Sequence, residues 1–213
     1  LFDKISTKII IKILTKKPYA LKYVKIQTPE LCMIAVTKDP YTLQYVKKQT
    51  PELCMIAVKD GPGALEYVIK QTPEICLAAV TIRGRALEFV KIQTHELCMI
   101  AVTDDGLNLQ YVKIQTPEIC LAAIKQNSDA LKFVKEKNQT PKLCLIAVNE
   151  CGEVLEYVKK QTLKICLAAI NNTSLALKFV KEQTPEFCMI AVTENGLALE
   201  FVKNQTPELC MIA

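Results

Sequence analysis

Thiols, imidazoles and carboxylates are the groups with which a chain of 213 residues could hold a metal or cut a bond, and here they come in rows instead of clusters. Cys32, Cys54, Cys76, Cys98 and Cys120 fall 22 residues apart, Cys144 follows after 24, and Cys166, Cys188 and Cys210 resume the interval of 22. A residue that recurs once per repeat sits at one structural position. Stacked helices lie roughly 8 to 10 Å apart, beyond the roughly 4.4 to 6.8 Å that a disulfide usually spans between Cα atoms. The spacing therefore predicts nine reduced thiols serving as small core residues, in an intracellular reducing compartment and not in a secreted chain. Cys151, in "NECGEV", lies outside the period and is expected as an exposed turn thiol. His95 is the only histidine, and with no second His and no Cys-x-x-Cys both metal ligation and a catalytic dyad lack their parts. Nor is there a Gly-rich phosphate loop, a nucleophile elbow or a paired-acid motif. The chain is expected to be no enzyme and to take no cofactor.

Charge gives a second row. Lys25, Lys47, Lys91, Lys113, Lys135, Lys159, Lys181 and Lys203 recur near one point of the repeat, with Ile69 as the gap. Such a stripe could follow a phosphate backbone, with Lys25, Lys47, Lys91 and Lys113 as the candidate contacts. The plainer expectation is that these cations complement a helix carboxyl end beside Glu30, Glu52, Glu74, Glu96, Glu118, Glu186 and Glu208. The net charge is +5, yet Lys4, Lys8, Lys12, Lys16, Lys17, Lys22 and Lys25 against Asp3 already place +6 in residues 1 to 28, which leaves −1 for the rest. The neutral array argues against a general polyanion binder, and the basic amino end is the other place, beside the Lys stripe, where a nucleic acid could bind.

The elements that carry these rows are set by a Gln-Thr pair, which marks the register at Gln27, Gln49, Gln71, Gln93, Gln115, Gln139, Gln161, Gln183 and Gln205. Two extra residues lie within 135 to 138. Each unit reads as two short helices. In residues 20 to 27, at about 100 degrees per residue, Ala20, Leu21, Tyr23 and Val24 gather on one side while Lys22, Lys25 and Ile26 face away. Thr28-Pro29-Glu30 supplies a capping hydroxyl, a Pro at the first helical position and an acid at the positive helix end. The second helix, 29 to 36, is apolar nearly all round and must be flanked by neighbours. Gln27 projects on the packing side of the first helix, so its amide should bond the free groups of the corner between the helices or form a ladder with its equivalents. Residues 1 to 18 align as a degenerate repeat or cap, and 19 to 213 form the array, which stops inside a repeat and reads as part of a longer chain. A leucine-rich-repeat horseshoe shares this period but needs a strand pattern that is missing. The fold is expected to be all-α, an α-solenoid of 22-residue helix-turn-helix repeats. From Tyr67 onward, Tyr units are followed by Ala78, Ala122 and Ala168 and Phe units by Ile100, Ile146, Ile190 and Ile212, so pairs form 44-residue units.

The phrase "ALxYVKxQTPEICLAAV", with Asn-Gly or Asp-Gly between copies, resembles the helical repeat known as domain of unknown function 4116, abundant in giant viruses of the mimivirus type and in amoeba-associated bacteria. The resemblance covers residues 19 to 213 and, weakly, the first 18. It implies a viral origin, with a place in host cytoplasm or virion, but carries over no activity and no catalytic residue. What the residues suggest is a non-catalytic scaffold for protein-protein interaction, self-association or structural assembly, with nucleic-acid binding as the alternative. No apolar run is long enough to span a membrane, and no membrane partner is expected. A partner would sit on a strip of the second helices at Met33, Met55, Met99, Leu121, Leu145 and Met189, where flexible side chains lie among acids. The competing expectation for that strip is that adjacent helices cover it. The turns "TIRGR", "TDDGLN" and "KQNSD" offer the array's variable surface.

Overall fold

The computed structural model describes residues 2–213, the side chains of 2–5 excepted, so that Leu1 at the start of the expected cap and the Lys4 side chain of the basic amino end lie outside the described residues. Every element described is helical. The α-helices are α1 (Phe2–Lys16), α2 (Pro29–Lys38), α3 (Pro51–Asp60), α4 (Pro73–Ile82), α5 (His95–Asp104), α6 (Pro117–Gln126), α7 (Pro141–Glu150), α8 (Leu163–Asn172), α9 (Pro185–Glu194) and α10 (Pro207–Ile212). Between consecutive α-helices runs one six-residue 3-10 segment, from Pro18–Tyr23 to Gly196–Phe201, and an extended linker. This is a helical-repeat solenoid.

Local chemistry sets each boundary. The Thr28 hydroxyl accepts the Leu31 N–H at 3.3 Å, and Pro29 fills the first turn where an N–H would find no partner. The same cap recurs at Thr50, Thr72, Thr116, Thr140, Thr162, Thr184 and Thr206. Thr94 likewise accepts from Leu97, so His95 is an exposed first-turn residue. At the other end, Asp39 turns extended and its carboxylate accepts the Tyr41 N–H at 2.9 Å, starting the next segment at Pro40. Asp105, Asn127 and Asn195 do the same. Where α1 has Thr7 instead of the Pro of α2, nothing stops the helix on its amino side; it runs back to Phe2 yet ends at Lys16, the equivalent of Lys38.

The first helix of each unit differs from expectation. It is a 3-10 segment, Pro18–Tyr23, not an α-helix over 20 to 27, and Val24 is already extended. A 3-10 turn aligns residues three apart. Leu43 and Val46, or Leu65 and Val68, therefore point together into the core, at 0 to 4 % exposure. Tyr23, expected inside, is 75 % exposed.

The chain divides into two compact units, Leu1–Asp104 and Asp105–Ala213. In the first, α1 to α5 stack in sequence, and each 3-10 segment packs between the α-helices before and after it. In the second, α6 to α10 stack likewise. Each internal α-helix buries the same four residues, Leu31, Cys32, Ala35 and Val36 in α2, while Met33 and Ile34 stay half-buried.

Candidate interaction surface

Gln27 lies on the extended linker, not on a helix, and its amide works across repeats. Its Nε2 donates to the Tyr45 carbonyl at 2.9 Å and to the Leu21 carbonyl at 3.3 Å, and its Oε1 accepts the Lys47 N–H at 3.0 Å. One side chain thus replaces a stretch of backbone pairing between two neighbouring linkers. Gln49, Gln71, Gln161 and Gln183 repeat the whole set. Gln115 bonds Phe133 and Lys135 in the same way. The extra residues form a 3-10 turn, Glu136–Asn138, from which the Asn138 amide reaches the Gln115 carbonyl at 3.3 Å. The expected corner-stapling is therefore present, but the corner belongs to the next unit. Gln205, on the last linker, keeps only the bond within its own unit and is exposed.

The lysine row has a similar cross-repeat anchor. The Lys47 ammonium donates to the Lys25 carbonyl at 2.9 Å, Lys91 to that of Ile69 at 2.9 Å, Lys135 to that of Lys113 at 2.8 Å, and Lys203 to that of Lys181 at 2.8 Å. Each cation caps a linker carbonyl one repeat back, at the carboxyl end of a 3-10 segment: Lys91 also reaches the carbonyl of Val68, which closes Pro62–Tyr67, at 3.2 Å. Their charges remain exposed.

Eight periodic thiols, Cys32 to Cys188, are buried, and none of the ten cysteines forms a disulfide. Each of seven lies 3.6 to 3.9 Å from its Gln oxygen. Burial pushes up the pKa of Cys32, Cys54, Cys76, Cys120, Cys144, Cys166 and Cys188. Two expectations need correction. Cys210 is exposed, and Cys151 is half-buried, at the residue that opens the Gly152–Tyr157 segment.

The apolar strip is neither sealed core nor open surface. Met33, Met55, Met99, Leu121, Leu145 and Met189 are all half-buried. Met33 lines a groove of about 520 Å³ whose far wall is the next unit's Lys47, Lys48, Thr50 and Glu52. Leu77 lines its equivalent of about 430 Å³, walled by Lys91, Ile92, Thr94 and Glu96. In that second groove Glu74 is held below the usual carboxylate range by its own backbone N–H and by the Thr72 hydroxyl. The grooves bring Met33 and Lys47 together; Lys25 lies instead on the wall of a third groove, of about 550 Å³, beneath α1. Sequence reasoning missed these grooves and the outward Ile92, whose only signal was an isoleucine in an otherwise polar linker. Among the described residues, no three His, Cys, Asp or Glu are grouped to hold a metal ion, and no helix is long and apolar enough to cross a membrane.

The family model described as Domain of unknown function (DUF4116) matches residues 95–139, so this stretch carries a domain of that type. It runs from the start of α5 to Gln139 and spans two repeats, the length of the Tyr-Phe pair. No curated protein and no solved structure matches the chain.

Proposed function

We propose that the chain is a non-catalytic scaffold that binds a protein partner or a second copy of itself along the α-helix lips. The observation that supports this is the repeated groove at the half-buried Met33 and the exposed Leu77, where an apolar side chain sits beside exposed charge of both signs. Most bonds that join the repeats fall on the recurring Gln and Lys, with further ones from the Gly84, Gly106 and Gly152 N–H groups to Asp104, Gln126 and Asn172; exposed residues such as Thr81, Ile82 and Arg83 lie outside these bonds and can vary at little cost to the array. Unpaired thiols suit a reducing compartment, and a viral origin belongs to the same proposal. Met33→Asp with Met55→Asp is expected to abolish self-association or partner binding, read by sedimentation velocity. The helical circular-dichroism signal and Tm should stay near wild type, with Met33→Gln and Met55→Gln as the milder pair. Loss of the fold in both pairs would mean that the strip is core and would move recognition to the turns.

The second reading, nucleic-acid binding, draws on the anchored lysine row: ammonium groups held in line need little ordering to meet a polyanion. Titration with duplex DNA and single-stranded RNA between low and high salt tests it. Weak binding without salt dependence ends that reading and leaves the first untouched.

A further inference from the structure

Each six-residue 3-10 segment ends on an aromatic ring, and the rings of Tyr23, Phe133 and Phe179 each hold a cation of the chain itself. Lys22 lies 4.7 Å from the centroid of Tyr23, Lys132 4.9 Å from that of Phe133, and Lys178 4.7 Å from that of Phe179. In each case the cation is the residue just before the ring. The position is thus built to receive positive charge on a π-face. Before Tyr67 stands Glu66 instead.

Around Tyr67 the setting changes accordingly. Tyr41, from the preceding repeat, meets it edge to face, with centroids 6.4 Å apart and planes at 80°. Gly63 keeps the corner open, since a Cβ there would come within 3.0 Å of the Tyr41 hydroxyl. Burial and then the adjacent Glu66 carboxylate raise the pKa of the Tyr67 hydroxyl, which makes the acid and the ring direct neighbours. Glu66 is exposed, and among the described residues it enters neither of the two ion pairs, Arg85–Glu88 and Lys178–Glu153. Two nearly perpendicular rings and a carboxylate therefore face solvent where sister repeats supply their own lysine.

We propose that the corner of Tyr41, Tyr67 and Glu66 binds an arginine side chain of a partner protein. A guanidinium can stack on one ring while its N–H edge meets the carboxylate, a combination that a compact ammonium matches less well. The other rings each lack at least one part. At Phe89 the acid Glu88 is already paired with Arg85 at 3.6 Å. At Tyr45 the ring partner Tyr19 is present, 6.0 Å away, but the preceding residue is Gln44, whose amide is bonded to the Tyr41 carbonyl at 3.0 Å. At Tyr157 the acids Glu156 and Asp129 are near, with Asp129 in the place of the second ring. This site lies on the 3-10 layer and goes beyond the helix-lip reading; neither depends on the other.

The test is an NMR titration of the full chain with acetyl-Gly-Arg-Gly-amide, followed at the ring protons of Tyr41 and Tyr67, with the lysine and citrulline peptides as further arms. The arginine peptide is expected to shift both rings saturably, the lysine peptide to bind more weakly, and the citrulline peptide not to bind. Tyr67→Leu and Glu66→Lys should each raise Kd at least about fivefold. Glu66→Lys is the safer variant for folding, because it recreates the Lys-aromatic pair that the chain already carries at Lys132 and Lys178. Tyr157→Leu should leave the binding unchanged. No saturable shift, equal binding of the citrulline or lysine peptide, or an unchanged Kd in Glu66→Lys with a wild-type circular-dichroism melt would each overturn the assignment.

Discussion

The glutamine that recurs in every linker carries more of the inter-repeat bonding than any other side chain. Gln71 bonds the carbonyls of Leu65 and Phe89 and the N–H of Lys91, so an apolar replacement removes three bonds at once, two of them part-buried, although the Leu65 carbonyl keeps the Val68 N–H. Gln71→Met is expected to cost about 2 to 4 kcal/mol, read from urea unfolding midpoints. Gln205→Met should change stability by less than about 0.5 kcal/mol, because Gln205 is exposed and keeps a single bond to Leu199. The thiol beside each Gln adds a pH dependence. Burial raises the folded-state pKa of Cys54, Cys76 and Cys144 among others, so the fold favours the neutral thiol. That contribution is complete below the unfolded value of about 8.5 and is lost as pH rises through the folded values. Urea midpoints should fall between pH 7 and pH 10, and fall less in the triple variant Cys54→Ala, Cys76→Ala, Cys144→Ala. An equal fall in both would assign the effect to other groups.

At the scale of elements, the α-helix is the part that local chemistry specifies and the 3-10 segment the part that packing shapes. Thr-Pro-Glu announces most of the α-helix starts, and the Thr cap and Pro first turn stand where that motif puts them. Ala-Leu-x-x-Val, in contrast, satisfies a period of 3 as well as one of 3.6 over so few residues. What selects the tighter turn is the need for Val24 and its equivalents to be extended, so that the linker beyond can meet the neighbouring Gln. Close approach of the next helix also constrains the start of the segment. A Cβ on Gly106 would collide with the Ala123 carbonyl oxygen, and one on Gly152 with that of Ala169. Gly106→Ala and Gly152→Ala are each expected to destabilise by about 1 to 3 kcal/mol, measured by thermal unfolding. At Gly63 a Cβ meets only the tip of the Tyr41 side chain, so Gly63→Ala should cost less than either.

For the molecule as two compact units, stability within each is a sum over neighbours, because each repeat there packs on the ones before and after it. Opening should therefore be graded along the array instead of all-or-none. The thiols report this directly. With an alkylating reagent at pH 7.5, Cys210 should label first and Cys151 next. The eight buried thiols should follow only on local opening. Mass spectrometry of the quenched time course resolves the order. Simultaneous labelling of all ten would show instead that the chain opens as one unit.

The sequence by itself determined the period, the start of nearly every α-helix and the core place of the recurring Cys from Cys32 to Cys188, because caps and apolar spacing act over a few residues. It also singled out Gln27 and its equivalents as residues bound to structure. The tertiary structure alone decided who their partners are. The Gln amide bonds residues 18 and 20 positions ahead, and the Lys ammonium a carbonyl 22 behind. The perpendicular rings of Tyr41 and Tyr67 come from different repeats. Such pairings depend on how far one repeat is displaced and turned from the next, a quantity set by the fit of whole surfaces and written in no single stretch of residues.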